Sequence, residues 1–192
     1  MALATTPERL HFTGDEAADA LLAREPFGLL IGFALDQQVT VPTAFSGPLK
    51  IKQRLGTLDA RKLAAMDPAE LEAAFREKPA VHRFPGTMAQ RVQDLARVVS
   101  DDYGGRAERI WTEARDGRDL DARLRGLPGF GDMKVRSLLA VLAKRFGVRP
   151  PGIDEVLPKH PTLGDVDSAQ ALAEYQAKKR AYKASMRAKQ QP

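Results

Sequence analysis

Apolar residues recur along this chain at helical intervals almost from end to end, and no stretch alternates with the period of a strand over a useful length. Glu16 to Arg24 predicts a short first helix rich in Ala and Leu. Pro26 to Gln38 predicts a second. Phe27, Leu30, Ile31, Ala34 and Leu35 make one stripe of it, while Leu29, Gly32 and Phe33 render the opposite side apolar too. A helix apolar on every side is a buried, central one. Its end is expected in the polar run Asp36-Gln37-Gln38. Val41 to Leu55 predicts a third helix, bent at Gly47-Pro48, and Asp59 to Ala65 a short fourth. Asp67-Pro68-Ala69-Glu70 has a capping aspartate, a proline at the first helical position and an acid three residues after the cap, so a helix should run from there to about Glu77.

Residues 78–86 read as a loop containing His82 and Arg83, most simply a solvated one. Thr87-x-x-Gln90 predicts a capping box opening a helix with Met88, Val92, Leu95 and Val99 on one side, stopped by Gly104-Gly105. Arg106 to Asp116 carries the single tryptophan, Trp111, which reads as core. Around Leu127-Pro128-Gly129-Phe130-Gly131-Asp132-Met133-Lys134 the pattern is clearest. Leu120, Leu124 and Leu127 precede it at helical spacing, and Val135, Leu138, Leu139, Leu142 and Phe146 follow it. Two amphipathic helices therefore meet at a tight, glycine-containing hairpin. Residues 148–167 hold four prolines and little periodicity and read as an irregular loop. Ser168 then caps a last helix to about Lys189, with Leu172, Tyr175 and Tyr182 turned inward. The pattern is all-α: a bundle over residues 25–147, and a second layer formed by 1–24 with 148–192.

Composition narrows the chemistry. The 192 residues are 43% hydrophobic and 29% charged, as in a globular protein. No apolar run is long enough for a membrane helix, and the amino terminus lacks the pattern of a signal peptide, so a cytoplasmic protein with no membrane partner is expected. The absence of cysteine excludes disulfides, thiolate zinc sites, thiol nucleophiles and cysteine-ligated iron–sulfur clusters. His11, His82 and His160 show no metal-ligand spacing, and no Walker A or dinucleotide glycine motif occurs. Between Ala169 and Pro192 lie six cations and one anion, which equals the whole net charge of +5. Such a tail suits a polyanion or a solvated terminus equally.

The hairpin is the candidate site. Its second helix begins with N–H groups that have no intrahelical acceptor, beside glycines that let another backbone approach, which is an arrangement suited to phosphate. Lys134 adds a cation one turn in and is expected to meet a phosphate or solvent.

Leu127-Pro128-Gly129-Phe130-Gly131 resembles the helix-hairpin-helix of the endonuclease III-like DNA glycosylases, the helix-hairpin-helix/Gly-Pro-Asp (HhH-GPD) superfamily of base-excision repair. The likeness extends in family order over about residues 26–154. It takes in Leu30-Ile31-Gly32-Phe33-Ala34-Leu35-Asp36-Gln37-Gln38-Val39-Thr40, the helix start at Asp67, and Met88-Ala89-Gln90-Arg91-Val92. A small subgroup without a metal cluster fits best. The resemblance implies a base-excision repair protein, most simply a monofunctional DNA N-glycosylase that binds double-stranded DNA as a monomer and flips a damaged base. The alternatives are a catalytically inactive DNA-binding protein of the same type, or a hairpin used for protein contact. It further implies DNA contacts at Gly129, Phe130, Gly131 and Lys134, and a wedge at Gln38 with Gln37 beside it. A Na+ or K+ ion at the Leu127 and Gly129 carbonyls would be the one cofactor. Bifunctional members place a lysine where this chain has Met133, so no lyase activity is implied. The family's catalytic aspartate corresponds to Asp154, after Phe146-Gly147 and Ile153, although Glu155-Val156-Leu157-Pro158 departs from the usual continuation. Asp165 and Asp167 are weaker candidates.

Overall fold

The computed structural model describes residues 6–190, and side chains throughout that range except at 183 and 186–190. Residues 1–5 and 191–192, the ends of the expected outer layer, lie outside it. The chain is 66% helical and no described residue is in a strand, so the fold is all-α as the periodicity requires. Helices α1 (Glu16–Arg24), α2 (Pro26–Leu35), α3 (Val41–Leu55), α4 (Ala60–Ala65), α5 (Pro68–Arg76) and α6 (Pro85–Tyr103) form the first part. Then come α7 (Arg109–Thr112), α8 (Gly117–Arg125), α9 (Asp132–Arg145), α10 (Ile153–Val156) and α11 (Ala169–Gln190).

Helix starts follow local chemistry where a side chain can cap. Asp15, Thr40, Asp59, Asp67 and Asp116 each accept a first-turn amide. The expected Thr87 capping box does not form. α6 begins two residues earlier, at Pro85, behind Phe84, which makes no side-chain cap bond. Proline's fixed φ is already helical and its missing N–H costs nothing at that position, so Pro85 nucleates the turn and Thr87 falls inside it. Gly104 closes α6 at φ 63°. The segment 148–167 is also more ordered than its prolines suggest, with α10 and a 3-10 turn at Leu163–Asp165 capped by Thr162. Pro158 follows α10 closely, consistent with its shortness.

One apolar cluster runs through the molecule from Leu10 to Leu172. α2 is its axis, with every residue from Phe27 to Leu35 buried. α3 crosses α2 where neither backbone carries bulk. A Cβ on Gly32 would lie 2.5 Å from the Phe45 ring, and one on Gly47 would lie 2.4 Å from Leu35. Phe45 itself packs edge-on against Phe33 and Phe12, with centroids 5.0 and 5.1 Å apart. α2 ends at Leu35 rather than Gln38. Tyr182, expected inward, is 66% exposed. Gly32→Ala is expected to lower stability by about 1–3 kcal/mol in urea unfolding, because α3 must retreat from α2. An unchanged midpoint would contradict the close crossing.

Candidate functional site

Past Leu35 the chain leaves the helix through three residues with different fates. Asp36 caps α2, its N–H bonded to Gly32 and Phe33 carbonyls, and its carboxylate is only 16% exposed. Gln37 is tied down at both ends of its residue. Its side-chain oxygen accepts from the Arg91 guanidinium, and its backbone oxygen pairs with His82 Nε2 at 3.0 Å. Gln38 is exposed and stands at φ 57°, the sole non-glycine in the left-handed region among the described residues. Gln38 is therefore presented, and Gln37 is its mount.

His82 is not the solvated loop residue that its surroundings suggested; it is 1% exposed. Its Nδ1 accepts the Phe84 amide at 3.1 Å, so the ring proton sits on Nε2 and donates to Gln37. Burial lowers its pKa from the ordinary value, which keeps it neutral.

The hairpin arrives at the same place. Gly129 holds φ 78°, and a Cβ there would lie 2.8 Å from Arg91 Cδ. Arg91 thus packs against the hairpin while its guanidinium holds Gln37. Gly131 opens α9 with no side-chain cap, and nothing lies within 4 Å of where its Cβ would be. The first amides of α9 therefore face open space without intrahelical acceptors. Asp132 would oppose an anion there, but Arg125 and Arg136 hold it at 2.9 Å each and pull its carboxyl below the usual range.

Two hairpin side chains are not where a DNA contact needs them. Phe130 is 5% exposed and belongs to the core, and its amide bonds the Leu127 carbonyl at 3.2 Å. Lys134 is half-buried rather than free in solvent. Its Nζ donates to the Ala34 carbonyl at 3.0 Å, against the last turn of α2. A position one step beyond Met133 turns by about 100°, and here that rotation carries the amine inward. Burial lowers the Lys134 pKa to about 8, helped by Arg91 and opposed by Asp36. Met133, by contrast, is 71% exposed.

α11 closes this corner. Tyr175 lies half-buried beside Asp36, its hydroxyl pushed up to about 12 by burial and that carboxylate. Lys179 approaches Asp36 at 3.9 Å and lies 5.9 Å from the Tyr175 ring centroid.

Asp154 is not part of this assembly. It is 78% exposed and paired with Arg149 at 2.5 Å. Its helix seats on the start of α8, where Gly117 N–H bonds the Pro151 carbonyl at 2.8 Å and Arg118 meets Glu155 at 3.0 Å. α10 also packs against α9, and Glu155 and Val156 line a cleft together with Arg125 and Arg136. Asp165 is bound to Lys144, and Asp167 makes no side-chain bond among the described residues. Sequence reasoning missed Asp36, Arg91, His82 and Tyr175 as members of the corner. Asp36 and Arg91 lay within recognised motifs, His82 sat in a loop read chiefly as solvated, and Tyr175 carried no local signal of this contact. Among the described residues no group of three or more His, Asp or Glu could hold a metal, and no helix is long and apolar enough to cross a membrane.

The Lys134 ammonium predicts a signed pH effect. An unfolded chain keeps that proton to 10.5 and the folded one to about 8. Between those values the unfolded state binds more protons, so stability from this residue rises with pH. The Tm of wild type should therefore gain on that of Lys134→Met when pH moves from about 7 to about 10. Parallel curves would show that the amine is not buried in the folded state.

No curated protein and no solved structure gives a significant match to the chain. The family model of the HhH-GPD superfamily base excision DNA repair protein matches residues 31–180, from inside α2 through the hairpin to the middle of α11. That match spans well over half of the chain, so the chain belongs to the HhH-GPD superfamily of base-excision DNA repair proteins.

Proposed function

We propose that the protein recognises damaged duplex DNA as a monomer, gripping the backbone with the amides of Gly129 and of residues 131–133 and filling the space of an extruded base with Gln38. The observation that carries this reading is the Arg91 bridge. One side chain packs on Gly129 and bonds Gln37, so phosphate grip and plug hold a fixed separation. Amide contacts to phosphate position a protein without reading sequence, and an emptied stack needs a side chain to occupy it. A Na+ or K+ ion at the Leu127 and Gly129 carbonyls belongs to the same proposal. The Gly129 oxygen accepts no backbone hydrogen bond among the described residues, whereas that of Leu127 already accepts one from Phe130.

Glycosidic cleavage by water is a second reading, favoured by Asp36 rather than by Asp154. A shielded carboxylate two residues from the plug can stabilise the positive charge that grows on the sugar as the base departs. Asp154 is exposed and already paired with Arg149, whereas Asp36 is shielded beside the plug. Position 133 offers no amine, so a covalent Schiff base at the hairpin is not part of either reading.

Binding to a duplex carrying one abasic-site analogue should weaken steeply as salt rises, and Gln38→Ala should lose about tenfold of the preference over intact duplex, about 1.4 kcal/mol. Salt-independent binding, or an unchanged preference, would overturn the recognition reading. On a panel of lesion-bearing duplexes, Asp36→Asn should abolish base release and Asp154→Asn should leave it. The reverse order would return the role to Asp154, and release by neither wild type nor variants would leave recognition alone. Borohydride should trap no covalent adduct.

A further inference from the structure

We propose that the carboxy-terminal half of α11 is a second clamp on the DNA backbone, lying beside the nucleotide that Gln38 displaces. The inference rests on the recognition reading above and extends it to a surface that the hairpin does not include.

Three observations converge on it. First, the charge is all in one place. The chain outside 169–192 is formally neutral, and the +5 of the protein resides in Lys178, Lys179, Arg180, Lys183, Arg187 and Lys189 against Glu174. Second, the helix is fastened at one point and bare beyond it. Leu172 is buried and Tyr175 half-buried, while residues 177, 178, 180–182, 184 and 185 are exposed. A helix segment with no apolar stripe has no core to face, so its partner is water or something polar. Third, the helix passes close to the plug. Lys179 stands 3.9 Å from Asp36, and Asp36 is two residues from Gln38. A cationic helix leaving that point meets whichever polyanion the plug enters.

The geometry also sets the reach. From Lys179 to Gln190 the helix extends about 17 Å, which matches about five nucleotide steps at 3.4 Å each. Duplex DNA is the partner of fitting charge and length, because its phosphates are spaced regularly along one line while α11 offers cations along most of its turns. Contacts of this kind release counterions and carry no sequence preference.

The test uses the full-length chain and a duplex of about 25 base pairs with one abasic-site analogue. Five residues, Lys178, Arg180, Lys183, Arg187 and Lys189, are changed to Gln, leaving Lys179 and Tyr175 to hold the helix. The slope of log K against log salt should fall by about 0.9 for each phosphate that the variant no longer neutralises, and affinity near physiological salt should drop at least about tenfold. A control with Arg9, Lys62, Arg76, Arg106 and Arg118 changed to Gln has the same net charge and should keep the wild-type slope. Since the chain has no cysteine, Arg180→Cys also gives a single attachment point for a photo-crosslinker. Its crosslinks should fall within about five nucleotides of the analogue. Equal slopes for wild type and the α11 variant, an equal loss in the control, or crosslinks spread along the duplex would overturn the clamp while the hairpin reading stands. Failure of wild type to bind with any salt dependence would remove both.

Discussion

The hairpin end of this molecule depends on one buried contact, the Lys134 ammonium on the Ala34 carbonyl. It joins residues a hundred positions apart in sequence. The last carbonyls of α2 lack intrahelical donors and carry the negative end of the helix dipole, so a cation there satisfies an acceptor and a field together. The cost is desolvation of the amine, visible in its lowered pKa. Arg91 makes a parallel link from Gly129 to Gln37, and neutral His82 makes another from the 78–84 loop. Three side chains from three segments converge on four residues at the end of one helix.

How far the sequence disclosed this depends on whether the deciding group was local. α1 was readable at both ends because Asp15 caps it from next door and the apolar face is complete within nine residues. The hairpin was readable because two apolar stripes and the glycines between them are contiguous. The end of α2 was not. Asp36, Gln37 and Gln38 suit a last helical turn or a loop alike, and the choice falls to Arg91 and His82, more than forty residues away. Lys134 illustrates a subtler limit. Helical phase says how far it is rotated from Met133, but only the position of α2 says what lies in that direction. Asp154 sits at a familiar interval after Phe146-Gly147, yet interval is not location. Its short helix is held at the start of α8 by the Gly117–Pro151 bond, which no periodicity reports.

Charge follows a similar division of labour. Many acids and bases of the body meet in ion pairs, such as Arg109 with Glu113 within one helix turn and Lys52 with Glu25 between elements. Pairs of that kind add little to stability, but they leave the body without a strong field of its own. Around the hairpin the same economy holds. Arg125 and Arg136 both pair with Asp132 at the start of α9, and Arg125 also holds Asp121, so the charges beside the first amides of that helix are shared within one network.

A residue that enters a base stack must push against it, and unstacking takes a few kcal/mol per step. The push is returned to whatever carries the residue. A side chain on a slack loop would recoil, and the loop would absorb the work. In the proposed reading the plug, Gln38, lies three residues beyond a helix whose every residue from Phe27 to Leu35 is enclosed, crossed by α3 at glycine-to-ring contact. Close-packed interiors compress very little, so thrust along α2 is spread through the whole core. In mechanical terms α2 is a strut and the core its foundation. The apolar character of that helix on all sides is thus a stiffness as well as a stabilisation.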